Sequence, residues 1–125
     1  AVALASLDLF ETGRVLDRVV ALEALFRERL EPLRALAAVA DVRVIGGVGI
    51  VELAVPDRTA GYLADVGPAL AAEFLARDLL LRPLGHVVYF MPPYAITDEE
   101  ARWALDQIVE VLTQLDRTGR AGDAP

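Results

Sequence analysis

The sequence predicts an α+β domain in which helices pack on a small, mostly antiparallel sheet. Two observations carry that expectation. Apolar residues recur at helical spacing in four segments, and β-branched stretches lie between them, in the order helix, helix, strand, helix, strand, strand, helix. At 125 residues, 55% apolar and 25% charged, the chain is about one domain's worth with enough apolar matter for a core. No repeat divides it, so residues 1 to 116 read as one domain that begins inside a helix. The tail after it, 117–125, has nothing to bury and is expected to be disordered.

The first helix is expected over residues 1 to 10, where Leu4, Leu7 and Phe10 keep roughly helical spacing before Gly13 breaks the pattern. It opens on an apolar run with no cap, which is what a chain excised from a longer one would show. A second helix is expected from Arg14 to Ala37. Val15, Val19, Leu22, Phe26, Leu33 and Ala37 form its apolar stripe, and Glu23, Arg27, Glu28 and Glu31 its wet side. Pro32 removes one backbone bond there and predicts a kink or an early stop.

Asp41 to Val55 then turns β-branched and reads as a strand. Its glycines, Gly46, Gly47 and Gly49, do not make a phosphate loop, because no Lys-Ser/Thr pair and no helix follows them. They suggest a bulge or a close approach of another backbone. A polar break runs from Pro56 to Pro68, and Pro68 suits the first turn of a third helix, Ala69 to about Arg77. Two short strands are expected near Leu79–Arg82 and Val87–Met91, joined through Pro83, Leu84, Gly85 and His86. Thr97 and Glu100 have capping-box spacing, with Asp98 and Glu99 between them. The helix behind carries Ala101, Ala104, Leu105, Ile108, Leu112 and Leu115 on one face.

Charge and composition exclude several functions. A net charge of −7 argues against nucleic-acid binding, which needs a clustered basic surface. No apolar run approaches the length of a membrane span. There is no cysteine and no signal peptide, so a reducing cytoplasm is the default expectation. All twelve basic residues are arginine, so nothing in the chain can form a lysine Schiff base.

Few residues are candidates for chemistry. His86 is the only histidine and has no second metal ligand near it in sequence, and it suits an exposed turn. Ser6, the only serine, lies in the first helix, far from any nucleophile motif. Trp103 is expected to pack. Arg82 differs from these, because it follows three leucines and precedes Pro83. Its backbone is expected to be extended and its neighbours buried. Its guanidinium either reaches the surface, free or salt-bridged, or meets an anion, for which its planar fork suits a carboxylate.

The stretch from Arg82 to Thr97 (RPLGHVVYFMPPYAIT), with VADVRVIGGVGIVEL upstream and the opening AVALASLDLFE, resembles the C-terminal part of class III pyridoxal-phosphate-dependent aminotransferases. The spacing R-P-x-G-x-x-x-Y-x-M-P-P-Y is similar to that of members serving biotin synthesis. The resemblance extends to about Leu115, and covers a third or less of a complete enzyme. It implies the small C-terminal domain of a fold-type I homodimer whose large domain holds pyridoxal 5'-phosphate. It further implies S-adenosylmethionine as amino donor and 8-amino-7-oxononanoate as acceptor. By resemblance, Arg82 holds the acceptor's carboxylate and Tyr89 lines the same pocket, while Met91-Pro92-Pro93-Tyr94 is scaffolding. The chain alone is expected to be inactive, for want of the cofactor lysine. The alternatives are another class III enzyme acting on a different ω-amino or keto acid, or a non-catalytic module that kept the fold.

Overall fold

The computed structural model describes residues 2–54 and 60–119. Its elements are α1 (Val2–Thr12), α2 (Val15–Leu30), a 3-10 turn (Glu31–Ala35), β1 (Val39–Ile45), β2 (Val48–Leu53), α3 (Ala60–Ala76), β3 (Val87–Phe90) and α4 (Asp98–Thr118). The strands form one antiparallel sheet in the order β1-β2-β3. This is the α+β layer that the sequence predicts.

The segment from Asp41 to Val55 is not one strand. It folds back at Gly46–Gly47, pairing Ile45 with Val48, Val44 with Gly49 and Val42 with Val51. Gly46 stands at φ +52, a conformation open to glycine without strain at the first position of a two-residue hairpin turn. The turn is fixed from α2, where the Glu23 carboxylate accepts from the Gly46 N–H at 2.8 Å and from Arg27 Nη2 at 2.8 Å. Arg27 first, then Gly46, holds the Glu23 carboxyl below the usual carboxylate range. The glycines make no bulge; the one register shift between β1 and β2 lies elsewhere, at Ala40, an extra residue in β1 between the Val39–Leu53 and Asp41–Glu52 pairs. That bulge shifts the alternation by one, so Val39 joins Val42 and Val44 on the core face.

Phe26 and Leu30 of α2 lie directly over Gly49, and a Cβ there would stand 2.5 Å from Leu30 Cδ1. The expected close approach is therefore made by side chains, and it lets α2 settle on the sheet. The Phe26 ring meets Phe90 of β3 with centroids 5.3 Å apart. Pro32 ends α2 early, and the chain tightens into the 3-10 turn with Pro32 in its first positions. Leu33 stays buried, but Ala37 lies beyond the turn and is exposed, which removes it from the expected stripe. From α2 and the 3-10 turn, Arg27 donates to the Val44 carbonyl at 2.9 Å and Arg34 to the Val42 carbonyl, both on edge strand β1. Arg34 also pairs with Asp41 and holds that carboxyl below its usual range.

α4 closes the core. Thr97 and Glu100 form the reciprocal capping box, and this keeps the Glu100 carboxyl low by its bonds to the Thr97 N–H and hydroxyl. Ala101, Ala104, Leu105, Ile108, Leu112 and Leu115 are buried as expected, and Val111 joins them. Each large side chain among these contributes about 1.5–3 kcal/mol by burial. Trp103 is the correction here: at 45% exposure it lies beside the stripe and is not a core residue. The helix also runs through Arg117 and Thr118 into a left-handed cap at Gly119, beyond the expected boundary at 116. Residues 120–125 of the expected tail fall outside the described residues.

Two further expectations change. α3 is already helical at Ala60, so Pro68 sits inside it and not at its start. The backbone bond lost at Pro68 is offset by burial of Leu70 and Phe74, both at 0% exposure. Of the expected break, residues 56–59 lie outside the described residues, as does Val55 at the end of the expected strand. The expected strand at Leu79–Arg82 does not form. The Leu81 N–H turns back to the Leu79 carbonyl at 3.0 Å and Pro83 has no N–H, so only Leu84 bridges to Val87. α1 contributes no buried residue: Leu4, Leu7 and Phe10 remain 67%, 61% and 47% exposed.

Candidate functional site

The site lies where the sheet's outer face meets its proline-terminated end. In β3 the alternation puts Val88 and Phe90 into the core and turns Tyr89 outward, paired with Ile50 of β2. β3 stops at Phe90. Pro92 and Pro93 offer no N–H to the ladder, so Met91–Pro93 leaves the sheet as an extended wall. Opposite it runs Leu79–Arg82, fixed at its start by the left-handed Asp78 (φ +60) and by the Leu79 N–H donating to the Phe74 carbonyl at 2.9 Å.

Between them is a cleft of about 400 Å³, lined by Leu79–Arg82 and by Tyr89–Pro93. Both residues singled out from the sequence face it. Arg82 is exposed and has no ion-pair partner among the described residues, so its five donors are free to take an incoming anion. Tyr89 is 39% exposed, with its hydroxyl free of protein partners among the described residues. The flanking leucines are not uniformly buried: Leu79 is at 8% exposure and Leu80 at 78%. The guanidinium therefore stands at the rim of an apolar cleft and not inside one. Such a cleft can hold a molecule with an aliphatic body and an anionic end.

His86 does not join this site. It follows the Gly85 turn, with Nε2 3.5 Å from Glu52 on the outer face of the sheet, where Glu52 also pairs with Arg43 at 3.0 Å. Among the described residues no group of three His, Asp or Glu side chains is placed to hold a metal. No described helix is long and apolar enough to cross a membrane. A feature that sequence reasoning missed is the anchoring of the wall's far end: Arg18 of α2 bonds to the Ile96 carbonyl and to Asp98. These contacts span 78 and 80 residues, so no local pattern announces them.

Residues 1–112 match the family model described as aminotransferase class-III. The adenosylmethionine-8-amino-7-oxononanoate aminotransferase of Geobacter sulfurreducens is 43% identical over 110 residues, covering 85% of this chain and 24% of the relative. The crystal structure of the Methanocaldococcus jannaschii protein of the same name superposes with a TM-score of 0.76 at 31% identity, over 90% of this chain and 26% of that one. An omega transaminase from Pseudomonas jessenii in complex with PMP shares the fold at TM-score 0.77 and 22% identity, over 94% of this chain and 27% of its own. The chain thus spans about a quarter of the length of the curated relatives it matches.

Proposed function

The chain belongs to the class III aminotransferases, and on that premise we propose that it forms the acceptor-binding part of an enzyme moving an amino group from S-adenosylmethionine to 8-amino-7-oxononanoate. The observation that carries this reading is Arg82 at the rim of an apolar cleft. The acceptor, as its name states, is a nine-carbon chain with a carboxylate at one end and the oxo and amino groups near the other. Its polymethylene body fits against Leu79, Leu81, Phe90 and Pro92, and its carboxylate reaches Arg82. The fork of the guanidinium makes two parallel charge-assisted bonds to that group. Tyr89, beside Arg82, limits the width of the cleft and offers a hydroxyl to the same end. The work of these residues is orientation: holding the remote carboxylate sets the oxo carbon at a fixed reach from the cleft.

Pyridoxal 5'-phosphate, which supplies the electron sink of aminotransferase chemistry, does not fit the residues of this chain. The chain has no lysine to bind it, and the Gly46–Gly47 turn leads into β2, so no helix N-terminus faces a phosphate there. The cofactor then belongs to the large domain of the complete homodimeric enzyme. The 125 residues alone should neither retain it through dialysis nor transaminate.

Arg82→Ala in the complete enzyme tests the reading. A charge-assisted pair contributes about 1.5–3 kcal/mol, and a value of about 2 kcal/mol for a rim position corresponds to roughly a 30-fold rise in acceptor KM. Arg82→Lys recovers only part of this. The adenosylmethionine half-reaction should be unchanged. Equal damage to both half-reactions, or a wild-type acceptor KM, would refute the carboxylate role.

A further inference from the structure

The cleft has one wall that cannot hold itself. Met91–Pro93 leaves β3 at its last ladder position, and its two prolines have no N–H with which to bond. Its position is therefore set from its far end, through the turn that follows. The Ile96 N–H donates to the Pro93 carbonyl at 3.0 Å, which ties the turn to the wall. The Ile96 carbonyl in turn accepts from Arg18 Nη2 at 2.5 Å, and Arg18 Nη1 bonds to Asp98, the first residue of α4. The Tyr94 ring lies against the hairpin turn, with its Cε1 2.9 Å from where a Gly47 Cβ would be. Arg18 thus joins three elements: α2, the end of the cleft wall, and the start of α4.

Its side chain is only 25% exposed, and it makes one of its bonds to an uncharged backbone oxygen. A cation placed only for surface charge would not need that carbonyl. Arg18 is also one turn into α2, just past the Gly13–Arg14 elbow, where Arg14 adopts φ +50.

We infer that Arg18 is a positioning residue for acceptor binding, holding the Met91–Pro93 wall at the width that lets the acid reach Arg82. This rests on the acceptor reading of the cleft given above. Arg18 touches no substrate and acts through Ile96. Removing its guanidinium leaves the fold intact, because the core of α2 begins one turn later at Leu22, but frees the wall.

The test uses the complete enzyme with Arg18→Met, which keeps the aliphatic stem, and with Arg18→Lys. Amide hydrogen exchange over residues 91–97 is read beside the kinetics of each half-reaction. Arg18→Met should speed exchange at Ile96 and raise acceptor KM by about tenfold, with kcat and the donor half-reaction little changed. Arg18→Lys, able to reach one acceptor but not both, should fall between Arg18→Met and wild type in both readouts. Unchanged exchange would overturn the inference, whatever the kinetics. Faster exchange with a wild-type acceptor KM would also overturn it, provided that Arg82→Ala raises that KM. If neither Arg18→Met nor Arg82→Ala moves acceptor KM, the acceptor reading of the cleft fails and takes the inference with it.

Discussion

Replacing Gly49 by alanine should destabilise the domain, although alanine is the better strand residue. The methyl group would enter at 2.5 Å from Leu30 Cδ1 and 3.3 Å from Phe26 Cδ2. Neither neighbour has room to yield, with Leu30 at 1% and Phe26 at 0% exposure and the Phe26 ring set against Phe90. Overpacking of this kind costs about 1–3 kcal/mol. Against it, replacing glycine lowers the entropy of the unfolded chain and returns about 0.4–1 kcal/mol. The packing term wins, leaving a net loss of about 1–2 kcal/mol. For a domain of this size that lowers Tm by roughly 4–8 °C, read from thermal unfolding followed by circular dichroism. Leu30→Val removes the atoms that clash, so the double variant should lose at least about 0.5 kcal/mol less than the two single losses summed. Strict additivity, or a Gly49→Ala variant as stable as wild type, would show that α2 does not rest on this glycine.

Three further outcomes follow from other parts of the fold. Thr97→Ala removes the hydroxyl half of the capping box, leaving the Thr97 N–H to Glu100 bond, and should cost about 1 kcal/mol in urea unfolding, whereas Thr97→Ser should cost little. The Glu100, Glu23 and Asp41 carboxyls are all held below their usual range in the fold. A carboxyl with a depressed folded pKa stabilises above its unfolded value, and that contribution is lost as pH falls through the folded one. The urea midpoint should therefore decline as pH falls through about 4.3, where an unfolded glutamate is half protonated, and Glu100→Gln should make that decline shallower. Because α1 buries nothing in this chain, exchanging Leu7 and Phe10 for glutamine should leave Tm unchanged. The same pair of changes should reduce self-association in sedimentation velocity.

Local devices were the legible part of this fold. The Thr97–Glu100 box and the α4 stripe are short-range patterns, and both stand where spacing puts them. The Gly46–Gly47 hairpin was not resolved from a bulge, because apolar β-branched residues continue on both sides and no polar residue marks the turn. Adjacent glycines between apolar runs were the available signal. Pro68 misled for a different reason: local chemistry favours the start of a helix there, but burial of Leu70 and Phe74 carries α3 through it. Trp103 sits between two stripe positions, and periodicity alone cannot say how wide the buried face is.

The candidate site divides in the same way. Arg82 and Tyr89 are seven residues apart and share a sequence pattern, so both could be found without coordinates. Arg18 could not, because its partners lie about eighty residues away.

The arginines on β1 also govern how copies of this chain can meet. An edge strand with open carbonyls is a template on which another chain can add a strand. Here Arg27 and Arg34 occupy the Val44 and Val42 carbonyls, and at the opposite edge Pro92 and Pro93 end the row of donors just past Phe90. A newcomer would have to displace two guanidiniums at one border or pair with a four-residue strand at the other. Growth of the sheet into a fibre is thereby opposed at both borders, by two guanidiniums at one and by the shortness of the strand at the other.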